Sequence, residues 1–353
     1  MRMFWKSLLL ACTCLFSANA SAVAGNRVDQ ILQRFEQANL WRDHVMIVAH
    51  RAGGLRSAKA LYPENSLAAL EASIADGAEM VEVDVRRSAD GIFIVMHDSW
   101  LDRTTTCKGE VAPRTLAELR QCRLVVEGSG AATAEHVSTL AEFLLAAKGR
   151  ILVNIDNKLD RQAFPEMVAI ARGLGMAHQI VIKENLWNEQ RLAGAQDMVR
   201  ELGGDVHFMP IIADDAVHEP AFAETVHSGL PSNAMELINW RNGADMLTLA
   251  GGPLFSNRMR AAAVRGNWHI WANTYAIVNK PGGFLSGGRG DELATLAGMP
   301  AESWGFWAER GATIIQTDEP GLAIEWLAAN GYRIPYDGES DGPEETERTA
   351  RIN

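Results

Sequence analysis

Short apolar runs alternate with helical patterns along most of this chain of 353 residues, and that alternation limits the folds open to it. The runs that predict buried strands lie at residues 45–49, 80–85, 92–96, 151–155, 180–182, 206–212, 247–249, 268–271 and 313–316. Helical spacing of apolar residues separates most of them, at residues 66–74, 164–174, 189–202, 220–226, 256–264 and 322–329. Strands alternating with helices predict an α/β fold with a parallel sheet, and we expect it to close as a TIM-type (β/α)8 barrel.

Two departures from this alternation divide the chain further. The Ser-Ala-Asp-Gly link at 88–91 is too short for a crossover helix and predicts a hairpin turn. Residues 99–142 show no parallel-strand pattern, so we interpret them as a small insertion after the third strand, over the barrel mouth. We therefore place a lead-in helix within 25–44, the barrel domain at 45–336 and an acidic, disordered tail at 337–353.

The amino-terminal residues have the pattern of a secretory signal peptide. Arg2 and Lys6 give a positive start, residues 7–18 form an apolar run too short to span a bilayer, and small residues follow. We expect cleavage near Ala24, which removes residues 1–24 and leaves a secreted protein, periplasmic or extracellular. No later segment is apolar enough to cross a membrane, so we expect no stable membrane insertion.

The expected mature chain keeps two cysteines, Cys107 and Cys122. In an oxidising compartment they could pair, which would contribute about 3 kcal/mol on the loop-entropy model. They could equally be two unconnected small residues, because a sequence does not show the geometry that a disulfide needs.

The formal net charge of −11 argues against nucleic acid as a partner. A protein this acidic gains nothing from releasing the counterions of DNA or RNA. A small anionic substrate stays open, since a local site can be positive in a negative protein.

Two carboxylates occupy one face of a predicted central strand. Glu82 and Asp84 lie two positions apart within a valine-rich run, so their side chains point to the same side. Both faces of a barrel strand are normally apolar. Burying two unpaired acids there would lower the stability of the fold by on the order of several kcal/mol. A cation would remove that cost. A solvated edge strand is the alternative, which the flanking helical patterns disfavour.

A third acid, Asp156, follows the run at 151–155 and so lies at a strand's carboxyl end, where TIM barrels carry their active sites. Glu82, Asp84 and Asp156 then form a three-carboxylate site for one hard divalent cation, Mg²⁺ or Ca²⁺. The sequence shows no cluster of Cys or His at the spacing of a zinc site.

Two histidines end predicted strands near these acids. His50 follows the first strand, and the hairpin turn should bring His97 to the same mouth as Asp84. Two imidazoles beside one cation suit a general acid and a general base. A single histidine taken alone is more often structural, so the prediction depends on their joint placement.

Cations and one aromatic residue complete the predicted site. Arg51 and Lys158 could neutralise a phosphodiester or balance the carboxylates, and both roles can hold together. Lys183 ends the run at 180–182, where it could contact phosphate or pair with Glu184. Trp271 lies at a strand end beside Asn273, and we expect it to wall the substrate pocket.

Many short motifs together resemble the glycerophosphodiester phosphodiesterase family, in order and spacing, from about residue 45 to 327. The motifs are His50-Arg51, Pro63-Glu64-Asn65-Ser66, Glu82-Val83-Asp84-Val85, Asp90-Gly91, His97-Asp98, Leu101-Asp102-Arg103-Thr104-Thr105, Gly109, Thr115-Leu116-Ala117-Glu118-Leu119, Asn154-Ile155-Asp156-Asn157-Lys158, Trp271-Ala272-Asn273 and Thr317-Asp318-Glu319-Pro320.

The resemblance implies a metal-dependent hydrolase that converts glycerophosphodiesters to glycerol 3-phosphate and an alcohol. It implies that His50 and His97 are the acid–base pair and that the three acids hold the metal. Arg51 and Lys158 would bind phosphate, while Glu64 and Asn65 would order the mouth. The resemblance also implies that a glycerol hydroxyl attacks phosphorus first and that water then opens the cyclic phosphate.

Position 156 departs from the family, which usually has Glu there. The shorter arm of Asp156 withdraws the carboxylate by roughly 1.5 Å. The related sphingomyelinase D group resembles this Asp-x-Lys arrangement, but its shorter separation between the second histidine and the acid fits worse here, where His97 and Asp156 lie 59 positions apart. A lysophospholipase D or sphingomyelinase D-like enzyme on a lipid substrate, or a non-catalytic barrel that binds phosphodiesters, are therefore the alternatives.

Overall fold

The computed structural model describes residues 26–337 except 231, 243–246 and 277–282. The predicted signal peptide and the predicted tail beyond Asp337 lie outside the described residues. Among the helices that are described, none combines the length and the apolar character needed to span a bilayer.

Eight parallel strands form a closed barrel, which confirms the predicted TIM-type fold. In chain order they are β1 (Met46–Ala49), β2 (Met80–Arg87), β3 (Leu152–Asn157), β4 (Ile180–Asn185), β5 (His207–Ala213), β6 (Ala234–Ile238), β7 (His269–Asn273) and β8 (Ala312–Thr317). Each strand pairs with the next, and β1 pairs with both β8 and β2, which closes the sheet.

Two of the predicted strands differ from the structure. The run at 247–249 is not a strand, and Leu249 is 80% exposed there. The barrel strand in this part of the chain is instead β6, whose apolar pattern is interrupted by Glu236. The run at 92–96 forms Phe93–Val95, which pairs antiparallel with β2 as the predicted hairpin turn requires and is not a barrel strand.

Helices cover the outside of the barrel. The longer ones are Leu67–Asp76, Leu140–Ala147, Phe164–Gly173, Glu189–Leu202, Pro220–Gly229, Asn257–Gly266, Trp304–Glu309 and Pro320–Ala329, with shorter ones at Leu116–Leu119 and Asp291–Thr295. The helix Leu140–Ala147 begins where its sequence provides a capping residue. Thr139 caps it, and Glu142 reaches back to the backbone N–H of Thr139.

A lead-in helix, Arg27–Glu36, closes the amino end of the barrel. Its side chains Val28, Ile31 and Phe35 pack in one cluster with the barrel-interior residues, among them Met46 and Trp271. Because this end is sealed by apolar packing, the carboxyl ends of the strands form the open mouth.

The predicted insertion contains its own small core. Two antiparallel strands, Arg123–Val126 and Ala131–His136, pair there. The side chains that pack together are Ile94, Met96, Leu101, Val111, Leu119, Cys122, Leu124 and Val137. Two further short strand pairs, Leu55–Arg56 with Lys59–Ala60 and Arg241–Asn242 with Gly283–Phe284, also lie on connections that follow carboxyl strand ends.

Cys107 and Cys122 form a disulfide in this insertion, with their Cα atoms 5.5 Å apart. The sequence left that pairing open. The bridge closes a loop with a sequence separation of 15, so it ties the start of the insertion to the strand Arg123–Val126.

Breaking this bridge should destabilise the protein by about 3 kcal/mol, because the unfolded chain gains the entropy of a 15-residue loop. Thermal melts of the purified protein with and without dithiothreitol measure the effect. A Cys107→Ser/Cys122→Ser variant is the control, since reductant should not change its melting temperature. Equal melting temperatures for the oxidised and reduced wild type would contradict the bridge.

Candidate active site

Three acidic side chains meet at the mouth of the barrel. Glu82 and Asp84 extend from β2 and Asp156 from the neighbouring β3, where Asp84 and Asp156 are paired in register. One carboxylate oxygen of each lies within 4.8 Å of the others. The structure therefore places the three predicted metal-binding residues together, and the shorter arm of Asp156 still reaches the cluster.

The alternation of β2 explains why both acids face inward. Val81, Val83 and Val85 point outward into the main hydrophobic core and are fully buried. Glu82 and Asp84 are equally buried, on the opposite face. The strand is central and paired on both sides, so the interpretation as a solvated edge strand is wrong.

Cations and backbone donors surround the cluster. The Lys158 Nζ atom lies 2.9 Å from Asp84 Oδ1 and 2.9 Å from Asp156 Oδ2. The backbone N–H of Arg51 donates to Glu82 at 3.0 Å, and its Nε atom is 3.6 Å from Asp84 Oδ2. The side-chain amide of Asn65 donates to Asp84 at 2.8 Å. Arg51, Asn65 and Lys158 thus all contact the carboxylate cluster.

The three acids differ in the directions of their pKa shifts. Burial, followed by repulsion from Asp84, raises the pKa of Glu82. Burial also acts upward on Asp84, but Lys158 and Arg51 outweigh it and hold the pKa of that carboxyl below its usual value. For Asp156 burial is likewise outweighed, by Lys183 and Lys158, and the pKa is lowered.

The donor set suits a hard divalent cation. Carboxylate oxygens are the ligands that Mg²⁺ and Ca²⁺ prefer, and three of them converge here. Two buried acids on one strand face repel each other, and a cation between them would remove that repulsion.

His50 stands over this cluster and is held from two sides. Its Nδ1 atom is 2.8 Å from Asp318 Oδ1, and its ring stacks on Tyr275 at a centroid distance of 3.8 Å. Because a carboxylate only accepts, Nδ1 carries the hydrogen and Nε2 is the basic nitrogen. That Nε2 atom points toward the cluster, 4.0 Å from Glu82 Oε2.

His97 has the same kind of partner. Its Nδ1 atom is 2.7 Å from Asp98 Oδ1, and Arg103 donates to the same carboxylate. Burial acts to raise the pKa of Asp98, but hydrogen bonds from His97 and Arg103 hold it well below the usual value, so the acid is ionised. The preceding backbone N–H, of Met96, donates to the Asp84 carbonyl, which keeps this strand end beside the cluster.

Glu64 organises the arginines of the mouth. It accepts from Arg51 Nη1 at 3.0 Å and from two nitrogens of Arg103 at 2.7 Å each. Arg51 itself has a left-handed backbone with φ of 51°, a strained conformation for a residue with a side chain. Such strain persists where neighbouring contacts enforce it. Here the backbone N–H of Arg51 donates to the Glu82 carboxylate, and the backbone N–H of Asn65 donates to the Arg51 carbonyl.

Lys183 faces the cluster and does not pair with Glu184, which contradicts one of the two sequence expectations. Glu184 points the other way and accepts from Arg161. The Lys183 Nζ atom is 3.4 Å from Glu236, 3.8 Å from Glu82 and 4.0 Å from Asp156. Burial acts against its charge, but these acids raise the pKa of Lys183 well above the usual value.

Trp271 lies in the interior core and not at the rim. Its ring is 0% exposed, and its indole N–H donates to Asn273 at 2.7 Å. An aromatic residue that does lie at the mouth is Tyr275, stacked on His50, and the sequence patterns did not point to it. Tyr275 lies two residues past the end of β7, and this position just after a strand could have indicated that it lies at the mouth.

Two more residues of the site were missed. Glu236 was hidden because β6 was assigned to the wrong segment; an isolated acid between Met235 and Leu237 was the signal available. Asp318 lay inside a quoted motif, but its contact with His50 spans 268 positions, which no local pattern reveals.

Comparison with known proteins locates the best-matched part of the chain. Residues 56–202 match the model of the glycerophosphoryl diester phosphodiesterase family. This segment contains the three acids of the cluster together with His97 and Lys158. A relative from Mycobacterium tuberculosis, named probable glycerophosphodiester phosphodiesterase 1, is 43% identical over 86 residues, which are 23% of this chain and 30% of the relative. The match thus spans under a third of that relative's length.

Solved structures show the same fold over most of the chain. A glycerophosphoryl diester phosphodiesterase from Parabacteroides distasonis covers 90% of this chain and 95% of its own, with a TM-score of 0.62 and 18% identity. An Oleispira antarctica phosphodiesterase, solved in complex with the product sn-glycerol-3-phosphate, covers 80% and 96%, with a TM-score of 0.51 and 19% identity. At these identities the likeness establishes the barrel fold.

The carboxylate cluster predicts that Mg²⁺ or Ca²⁺ raises the melting temperature, because a ligand that binds only the folded state stabilises it. Asp84→Asn should weaken the affinity about tenfold or more by removing one charged ligand. Calorimetric titration measures the affinity, and Asp205→Asn, at an exposed ion pair with Arg172, is the matched control. Unchanged melting in either cation would contradict the site.

Proposed function

We propose, from the match of residues 56–202 to the model of the glycerophosphoryl diester phosphodiesterase family, that this protein hydrolyses glycerophosphodiesters to glycerol 3-phosphate and an alcohol. The observation that carries the proposal is the pairing of two histidines with one carboxylate cluster. His50 and His97 each have Nδ1 against an aspartate, at 2.8 and 2.7 Å, beside three converging acids. The complex of the Oleispira antarctica phosphodiesterase with sn-glycerol-3-phosphate supports the product assigned here.

The two imidazoles account for the protons of the reaction. One accepts the proton of the attacking hydroxyl as the new P–O bond forms, and the other donates a proton to the alcohol oxygen as the old P–O bond breaks. Asp318 and Asp98 hold Nδ1–H in both rings, so the exchanging nitrogen is Nε2 in each case. Attack by a glycerol hydroxyl followed by water uses the same pair twice, with the roles reversed in the second step.

Fixed positive charge stabilises the phosphoryl group while it is displaced. Arg51 and Lys158 hold charged nitrogens within 4 Å of Asp84, so both reach the region where the phosphate lies. Glu82, Asp84 and Asp156 would hold one divalent cation, which would polarise a phosphoryl oxygen when bound. Glu64 supports the charge of Arg51 and keeps its guanidinium in place.

The insertion favours a water-soluble diester over a lipid. Its apolar side chains, such as Leu124 and Val137, are buried in its own core and are not available to line an acyl groove. The Asp-x-Lys pattern at 156 favours the lipid alternative. Comparing turnover of glycerophosphocholine and lysophosphatidylcholine decides between them, and we expect the first to be the better substrate.

We also propose that the protein works outside the cytosol. The basic and apolar residues before Ala24 suit export, and the Cys107–Cys122 disulfide needs an oxidising compartment to persist.

Replacing either histidine should lower kcat for glycerophosphocholine by about 10²- to 10⁴-fold, the usual contribution of a general acid or base. Chelation by EDTA should also abolish turnover, and added divalent cation should restore it. His178→Ala is the matched control, because that exposed ring lies at the amino end of β4, away from the mouth. Diester turnover that persists in both His→Ala variants and in EDTA would reject the mechanism.

Asp318→Asn should lower kcat by about 10²-fold or more while leaving the fold intact. An asparagine can donate to Nδ1 and so favour the wrong tautomer of His50, with the hydrogen on Nε2. Steady-state kinetics measure the loss, and circular dichroism checks the fold. Wild-type kcat in Asp318→Asn would show that this contact does not set the tautomer.

A further inference from the structure

We propose that Glu236, Asn273 and Trp271 are positioning residues that hold the ammonium of Lys183 at the barrel mouth, where Lys183 binds the phosphate of the substrate. The inference rests on the proposed function and extends it to Glu236, which no family motif contains. It also gives a role to Trp271 and Asn273, whose motif the resemblance left without one.

A chain of hydrogen bonds runs from the interior core to this lysine. The Trp271 indole N–H donates to Asn273 Oδ1 at 2.7 Å, and Asn273 Nδ2 donates to Glu236 Oε1 at 2.6 Å. Lys183 Nζ donates to Glu236 Oε2 at 3.4 Å. An indole N–H can only donate, so it fixes the orientation of the Asn273 amide and directs Nδ2 at Glu236. All four residues are buried, in three different strands.

The ammonium of Lys183 donates one hydrogen bond to an acid, Glu236, and has further hydrogens to donate. Of the three acids near it in the part of the chain that the structure describes, Glu236 alone is within hydrogen-bond distance; the Glu82 and Asp156 oxygens are 3.8 and 4.0 Å away. An ammonium has three hydrogens to donate. Donors therefore remain on the Nζ atom, which lies within 4.0 Å of two acids of the carboxylate cluster. In the proposed reaction a phosphate oxygen would bind beside this cluster.

Glu236 differs from the other two acids in one respect that matters. Among the described residues within ion-pair distance of Lys183, it is the acid that stands outside the three-carboxylate cluster. A divalent cation would share the oxygens of Glu82 and Asp156, and Glu236 would then remain as the partner of the lysine. Its charge keeps the ammonium from settling on the two oxygens that the cation needs.

Lys183 and Glu236 should therefore affect cation affinity in opposite directions when each is replaced. Without Lys183, the negative charge of Glu236 remains beside the cluster and attracts a cation. Without the charge of Glu236, the ammonium moves onto Glu82 and Asp156 and competes with the cation. Phosphate binding, in contrast, should weaken in both cases.

The test measures two affinities on the full mature chain by calorimetry, first for Mg²⁺ alone and then for sn-glycerol 3-phosphate in saturating Mg²⁺. Lys183→Met should bind Mg²⁺ about tenfold more tightly and the phosphate about tenfold more weakly. Glu236→Gln should bind both about tenfold more weakly. The Lys183→Met/Glu236→Gln double variant should return Mg²⁺ affinity to near the wild-type value but leave phosphate binding weak.

Trp271→Phe keeps an aromatic ring and removes the N–H donor. It should shift both affinities in the direction of Glu236→Gln, by a smaller factor, because Asn273 then loses its orientation. Two matched controls should change neither affinity: Glu184→Gln, on the next position of β4 but paired with Arg161, and Lys148→Met, on an exposed helix end.

Mg²⁺ affinities that shift in the same direction in Lys183→Met and Glu236→Gln, or that do not shift, would overturn the proposal. Should Glu236→Gln fail to fold in circular dichroism, the comparison of Lys183→Met with the double variant still decides, since their Mg²⁺ affinities must differ about tenfold. Neither affinity depends on turnover. Absence of diester hydrolysis by the wild type would therefore reject the proposed function separately.

Discussion

The site depends on the burial of like charges at one end of a barrel strand. Glu82 and Asp84 lie on the inward face of β2 and are almost completely removed from water. Left uncompensated, these buried charges would destabilise the fold, and Lys158, Arg51 and Lys183 all lie within 4 Å of them. The mouth is therefore a balanced network of charges in which no member can be removed without affecting the rest.

Local patterns predicted much of this network. The alternation in β2 gave the two acids and their common face, and strand-end positions gave Asp156 and the histidines. These residues lie within a few positions of the apolar runs that define the strands, so strand geometry alone locates them. The barrel followed from the same runs, since strands alternating with helices leave few other architectures.

The misses share a different physical cause. β6 was misplaced because Glu236 breaks its apolar pattern. That acid is tolerated because Lys183, from β4, and Asn273, from β7, both bind it. Trp271 was expected at the rim, yet its ring fills the interior core. The pairing of His50 with Asp318 joins the first and last strand ends. Each depends on closure of the barrel, which no window of sequence contains.

The two ends of the described chain lie together at the amino end of the barrel. Arg34, in the lead-in helix, donates to the carbonyls of Ile334 and Pro335 at 2.6 and 2.7 Å, so the first and last described segments meet. Both lie beneath the barrel, opposite the mouth. The described part of the chain thus begins and ends on the face opposite the open mouth, so a segment joined at either end would leave the domain on the side away from the carboxylate cluster.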